Sequence, residues 1–362
     1  MKEAIIFIPG YDSLERGAKL EEVVKDFQDY NHLGKIEKAD ETDLYGHTGA
    51  RLNVKYDDGT SREVDIYEAF WADLRIDFEQ LKNYQKFFSG MGMLIYWLNP
   101  RLWHFSKGDS TKTVFMIMST LGLLVWYGIV IITILAFIKT VDPPAFLKDS
   151  LLVNQFNELV TVTSENFKQW LGLSVLTSFL PLAVVANIAY DTKKYLQNDT
   201  YRSALRRRAH DIVFDVIHEG QYDRVTLLCH SFGSVIGVHF LATMADLTKD
   251  KPFRFVTMGA AVSFLSFRSQ WLKDILQRCF RTQYVDEWID FFSPEDWVCS
   301  SVKLEDPGPY MREVTQPVKG KFHSEKLIFH KNWFERLFQS KKIHGAYSKT
   351  SEVIDKILDR PQ

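Results

Sequence analysis

The sequence predicts an α/β protein with a mostly parallel, doubly wound sheet that carries a two-helix transmembrane insertion. Three observations lead there. Short apolar runs rich in β-branched and aromatic residues alternate with amphipathic helical patterns. One of these runs ends at a serine and turns directly into a helix. Two long uncharged segments interrupt the alternation.

The strand candidates are 4–8, 65–71, 224–229, 253–258 and 286–292, and helical patterns fit 17–30, 203–219, 234–247, 267–279 and 347–359. Residues 52–66 read as a β-hairpin turning at Asp57-Asp58-Gly59. Residues 4–8 (Ala-Ile-Ile-Phe-Ile) run into Pro9-Gly10, the pattern of a short buried strand and turn. A secretory leader would need a longer apolar region followed by a small-residue cleavage site.

The 26 residues from Thr113 to Ile138 carry no charge. As a helix they would extend about 39 Å, enough to cross a hydrocarbon core with some tilt. A second uncharged run extends from Gln169 to Tyr190 and includes Gly172 and Pro181, which membrane helices tolerate. Soluble helices of such length show a polar stripe, and neither run has one. Arg101, Lys107, Lys112, Lys193, Lys194, Arg202 and Arg206–Arg208 flank the pair, nine positive residues against Lys139, Lys148 and Lys168 between them. That asymmetry places both flanks in the cytoplasm. The apolar stretch Phe87–Leu98 is too short to span, and with Pro100, Leu102 and Trp103 after it the aromatic segment Phe87–Trp103 fits either an interfacial segment or a lid helix. The expected organisation is therefore an α/β domain in two parts, 1–80 and 196–362, interrupted by a membrane insert at 81–195.

Bulk properties narrow the function. Of the 362 residues 46% are hydrophobic, ample for a large core, and the net charge of -2 disfavours a nucleic-acid partner. Cys229, Cys279 and Cys299 show no CxxC spacing and read as thiols in a reducing compartment. No phosphate loop, HExxH or EF-hand pattern occurs, so neither a metal nor an organic cofactor is expected.

The chemistry-bearing segment is Cys229-His230-Ser231-Phe232-Gly233-Ser234, which follows an apolar strand and opens the helical run from Val235. A serine at such a turn projects its Oγ above the sheet. The following amide, Phe232, then points at a developing oxyanion. Small residues two before and two after the serine let strand and helix approach. Gly233 meets that need, while Cys229 stands where glycine is usual.

Here the chain resembles the α/β-hydrolase superfamily, its lipase and esterase members in particular, over roughly residues 1–80 and 200–362. It departs from them in lacking a pair of leading strands, in Cys229 and in the membrane insert. The resemblance implies Ser231 as nucleophile, followed in chain order by an acid and a histidine. Asp296, beyond the strand at 286–292, fits the acid; Asp290 should be pinned within the strand, and Glu295 reads as its solvated neighbour. His344, in a loop before the last helix, fits the histidine better than His323 or His330. His230 reads as a packing residue. The second oxyanion donor falls at the turn after the first strand, at Tyr11, with Gly10 behind it and Pro9 lacking an N–H.

These features imply a membrane-anchored serine hydrolase facing the cytoplasm, cleaving a carboxylic ester of a lipid or acylated substrate through an acyl-enzyme. Its expected partners are that substrate and the bilayer. Two alternatives stand beside it: a thioesterase acting on acyl-proteins or acyl-CoA, and a catalytically inactive tether or interaction module.

Overall fold

The computed structural model describes residues 1–11, 15–30, 34–44, 46–75, 182–218, 220–244, 252–296, 299–303, 321–329 and 342–358, with single helical residues between 113 and 128. The chain divides into two compact units. One comprises Met1–Arg75, Arg101–Lys112 and Thr192–Gln362, the other Ile76–Pro100 and Thr113–Asp191.

The first unit is a mixed α/β structure. Its strands are β1 (Lys2–Ile8), β2 (Gly34–Leu44), β3 (His47–Tyr56), β4 (Ser61–Glu68), β5 (Arg224–His230), β6 (Phe253–Met258), β7 (Glu287–Phe292) and β8 (Phe322–Lys326). Among the described residues they form an eight-stranded sheet in the order β2-β3-β4-β1-β5-β6-β7-β8. From β4 across to β8 every pairing is parallel, and β3 alone runs against the rest. The described helices are α1 (Ala18–Gln28), α2 (Leu182–Gln197, of which only the part from Thr192 belongs to this unit), α3 (Asp199–His218), α4 (Gly233–Thr243), α5 (Val262–Ser266), α6 (Gln270–Phe280) and α7 (Ser351–Ile357).

The alternation of side chains along β1 explains why helices cover both faces. Ala4, Ile6 and Ile8 enter a core shared with α3, α4 and α6, including Ile212, Val235, Ile236 and Leu272. Ile5 and Phe7 enter the opposite core, with Leu20, Val23 and Phe27 of α1 and Val353 and Ile357 of α7. All five of these β1 side chains are at most 2% exposed. Each large one contributes about 1.5–3 kcal/mol by leaving water, so β1 anchors both layers.

The structure corrects several sequence boundaries. The hairpin turn lies at residues 57–60 as its sequence suggests, with Gly59 at φ 84°. Its second strand, however, ends at Glu68 instead of Trp71. There the buried Trp71 indole donates to the Pro9 carbonyl at 2.8 Å, which pulls the chain off the ladder into a short turn. Helix α4 stops at Thr243 and not at 247: Met244 turns extended at ψ 108°, while the Thr243 hydroxyl donates back to the carbonyls of His239 and Phe240. The last helical pattern begins as a 3₁₀ turn, Tyr347–Lys349, before α7. Strands β2 and β8 and the short α5 have no counterpart among the sequence expectations.

Among the described residues, no helix is long and apolar enough to cross a membrane. Most of the predicted span at 113–138, the first part of that at 169–190 and the stretch Phe87–Trp103 lie outside the described residues. Within the second of these spans the described part of α2, Leu182–Gln197, continues past the uncharged run to carry Asp191, Lys193 and Lys194.

Arg202 is one of the flanking cations, and it is 8% exposed. It donates to the carbonyls of Tyr195 and Leu196, which end α2, and lies 4.2 Å over the Trp271 ring. Its charge therefore closes a helix end.

Candidate active site

Strand β5 ends at His230, and α4 begins three residues later at Gly233. Between them Ser231 has φ 55°, the one non-glycine residue with positive φ among those described. That conformation costs an L-residue on the order of 1–2 kcal/mol and needs support from its surroundings. The Ser231 amide donates to the Met258 carbonyl at 2.9 Å, extending the β5–β6 ladder, and its carbonyl accepts from the Ser234 amide at 3.0 Å.

Close packing dictates the neighbours of the serine. A Cβ on Gly233 would lie 2.2 Å from the Ile8 carbonyl oxygen, so only glycine lets α4 meet the end of β1 this closely. A Cβ on Gly10 would lie 2.7 Å from the Ser231 Cβ. The turn after β1 therefore abuts the serine directly. Cys229, where the resemblance favours glycine, is accommodated from across the interface, where α4 presents Gly237.

The structure brings Ser231, Asp296 and His344 together. Ser231 Oγ lies 2.7 Å from His344 Nε2, and His344 Nδ1 lies 2.7 Å from Asp296 Oδ2. A carboxylate only accepts, which fixes the proton on Nδ1 and leaves Nε2 to accept from the serine hydroxyl. Asp296 is fully buried, Ser231 is 7% exposed and the His344 side chain is 18% exposed. The imidazole thus bridges a dry carboxylate and a hydroxyl at the surface of the site.

Further residues contact this arrangement in ways that the sequence reading did not assign to them. The Tyr347 hydroxyl accepts from the Ser293 amide at 3.0 Å and donates to Asp296 Oδ2 at 3.2 Å. Burial, and next the Asp296 charge, push the phenol well above its usual range, so it stays a donor. His230 is more than packing: its Nε2 donates to the His344 carbonyl at 2.7 Å, and its ring lies 4.9 Å from the His344 ring. The fully buried Cys299 places Sγ 3.6 Å from His344 Nδ1. The signals were adjacency to the serine for His230 and three-residue spacing from His344 for Tyr347. Cys299 carried none.

The competitors fall elsewhere. Asp290 lies within β7, fully buried, where it accepts from Thr257 Oγ1 at 2.7 Å, the Val302 amide at 2.8 Å and Ser301 Oγ at 3.0 Å. Burial pushes its carboxyl up to about 6, against the lowering effect of these donors. Glu295 was expected to be solvated but is fully buried, because Ser293 Oγ accepts from the Glu295 amide and turns the chain inward. His323 is exposed on β8, and His330 lies outside the described residues.

Phe232 occupies the N-cap position of α4. Its amide precedes the helix hydrogen bonds and lies one peptide beyond the serine. The Tyr11 carbonyl accepts from Arg75 at 3.1 Å and the Pro9 carbonyl from Trp71, fixing the turn that carries the Tyr11 amide. The rings of Tyr11, Tyr195 and Trp71 surround that of Phe232, with centroids 4.7, 5.2 and 5.5 Å away. The side chains of the two residues expected to supply oxyanion amides thus share one aromatic cluster.

Asp296, Cys299 and His344 are also the one set of side chains, among those described, whose ligand atoms converge as a metal site requires. No protein-family model, curated protein or solved structure matches the chain.

Proposed function

We propose that this protein is a serine hydrolase of the α/β-hydrolase type, cleaving a carboxylic ester of a lipid or acylated molecule. One observation carries the reading: a serine at positive φ, between strand and helix, hydrogen-bonded to a histidine that is hydrogen-bonded to a buried aspartate. Ser231 Oγ attacks the ester carbonyl while His344 Nε2 takes its proton. Asp296 orients the ring and stabilises the imidazolium, and its own position is held by Tyr347. The amides of Phe232 and Tyr11 stabilise the oxyanion. His344 returns the proton to the leaving alcohol, and water then resolves the acyl-enzyme by the same path.

The lipid character of the substrate rests on the insert. The two uncharged runs and the charge bias support a membrane hairpin, with the hydrolase on the cytoplasmic face. In the second unit, the helical residues Ile117, Leu121 and Leu124 are 40–52% exposed at spacings of four and three, as a lipid-facing helix stripe would be.

A fluorophosphonate probe tests the nucleophile. The native chain should be labelled, and Ser231→Ala should lose labelling with an unchanged circular-dichroism spectrum. Persistent labelling of that variant would reject Ser231, and an unlabelled native chain would favour a tether. Hydrolysis of an ester in vesicles should exceed that of a short soluble ester, since each CH₂ kept from water is worth about 0.8 kcal/mol. Equal rates would remove the lipid assignment.

A further inference from the structure

The buried side of the His344 ring meets more than its aspartate. Asp296, Cys299 and His344 bring a carboxylate oxygen, a thiol sulfur and an imidazole nitrogen within 4.8 Å of one another. Asp296 and Cys299 are both fully buried. Zinc bonds of about 2.3 Å to sulfur and 2.05 Å to nitrogen, at a tetrahedral angle, require the two atoms to be about 3.5 Å apart. Cys299 Sγ and His344 Nδ1 are 3.6 Å apart. The pair already has the separation that a tetrahedral ion demands. Asp296 Oδ2, at 2.7 Å from Nδ1, needs to withdraw to about 3.3 Å to join them.

We propose that Asp296, Cys299 and His344 form an inhibitory site for a thiophilic divalent cation such as Zn²⁺ or Cd²⁺. The thiolate selects the class, since hard ions such as Mg²⁺ and Ca²⁺ favour all-oxygen sites. On binding, the Cys299 thiol releases its proton to solvent. The imidazole proton moves from Nδ1, now bonded to the metal, to Nε2. One carboxylate and one thiolate balance the double charge of the ion.

The consequence for Ser231 follows from the same proton. Nε2 faces Ser231 Oγ at 2.7 Å, and once it carries hydrogen it can no longer accept the serine proton. Asp296 is at the same time withdrawn from the ring. The ion therefore blocks general-base catalysis without entering the space where the ester reacts. Asp296 and Cys299 are three residues apart but His344 lies 45 residues beyond Cys299, which is why cysteine spacing gave no hint of the site.

Binding stands independently of the hydrolase reading, whereas the inhibition rests on it. Cd²⁺ added to the full metal-free chain should produce one equivalent of thiolate-to-metal charge-transfer absorption. The band should survive in Ser231→Ala and vanish in Cys299→Ser, with Cys299→Ala as a second variant should the serine disturb folding. Zn²⁺ should slow fluorophosphonate labelling at least tenfold, a chelator should restore it, and Cys299→Ser should label equally with and without Zn²⁺. Absence of the band, or a band unchanged in both Cys299 variants, overturns the site. A normal band without slowed labelling overturns the inhibitory role. A chain that shows the Cys299-dependent band but is never labelled, even without metal, supports the site and rejects the hydrolase reading instead.

Discussion

The sulfur of Cys229 fills the space that a side chain at Gly237 would need: a Cβ there would lie 2.6 Å from Sγ and 3.1 Å from the Phe255 ring. Strand β5 and helix α4 thus share one side chain's volume between two positions. At this elbow the small residue sits on the helix side and the larger one on the strand. Gly237→Ala should destabilise the protein by about 1–3 kcal/mol through overpacking, despite the better helix propensity of alanine. Adding Cys229→Gly should recover part of that loss. Thermal unfolding of the two single variants and the double variant checks this, and strictly additive losses would show that the two sites are not coupled.

The two buried aspartates should separate cleanly. Asp296→Asn removes the acceptor that fixes the His344 tautomer, and should lower turnover by roughly 10⁴-fold with little change in unfolding. Asp290→Asn leaves Thr257, Ser301 and Val302 with a poorer acceptor inside β7. It should cost about 1–3 kcal/mol of stability, with turnover of the folded fraction within a few-fold of native. Rate assays paired with denaturant unfolding distinguish the two, and the reverse pattern would exchange their roles.

A third expectation concerns pH. His239 is 7% exposed, and its Nδ1 accepts from the Tyr195 hydroxyl at 2.9 Å, which requires a neutral ring. Burial, reinforced by Arg206 and Arg202, lowers its pKa to about 4 from 6.5. Because the folded value is the lower one, the neutral ring's contribution is full above about pH 6.5 and is lost as the pH falls toward 4. The total change is about 3 kcal/mol. Asp290 slopes the opposite way, since its folded value is raised and its contribution fades as the pH climbs from about 4 through 6. The His239 effect is therefore read as a difference: between pH 6.5 and 4, His239→Gln should lose less stability than the native chain. Parallel curves would show that His239 does not titrate in this way.

Local signals made the elbow legible. An apolar strand, a serine and a helix fell within a dozen residues, so Ser231 and Phe232 could be placed from sequence. The order and loop positions that the resemblance implies then pointed to Asp296 and His344, and the geometry places His344 against Ser231 and Asp296 against His344. What escaped depended on contacts between distant segments. Nothing local to Cys299 marks it as a neighbour of His344, and Glu295 looked solvated because its type usually is. Strand β2, Gly-Lys-Ile-Glu-Lys-Ala-Asp-Glu-Thr-Asp-Leu, was hidden because, among its described side chains, only Ile36 and Thr42 are buried. Its pattern is that of a sheet rim, which apolar alternation does not detect.

Among the described residues β2 and β8 are the outer strands of the sheet, and that has a consequence for the protein in a crowded cell. Any open sheet offers unpaired amides and carbonyls at its margins, and a second chain can add there. On one margin β2 carries Lys35, Glu37, Lys38, Glu41 and Asp43, with an irregular register between Lys38 and Asp40 and Glu37 paired to both Lys35 and Lys55. On the other, β8 is only five residues long and presents His323, Glu325 and Lys326. An approaching strand would have to strip water from these charges and follow a bent ladder. These two strands are thereby guarded against pairing with a second chain, and the polar sequence that disguised them is what supplies the guard.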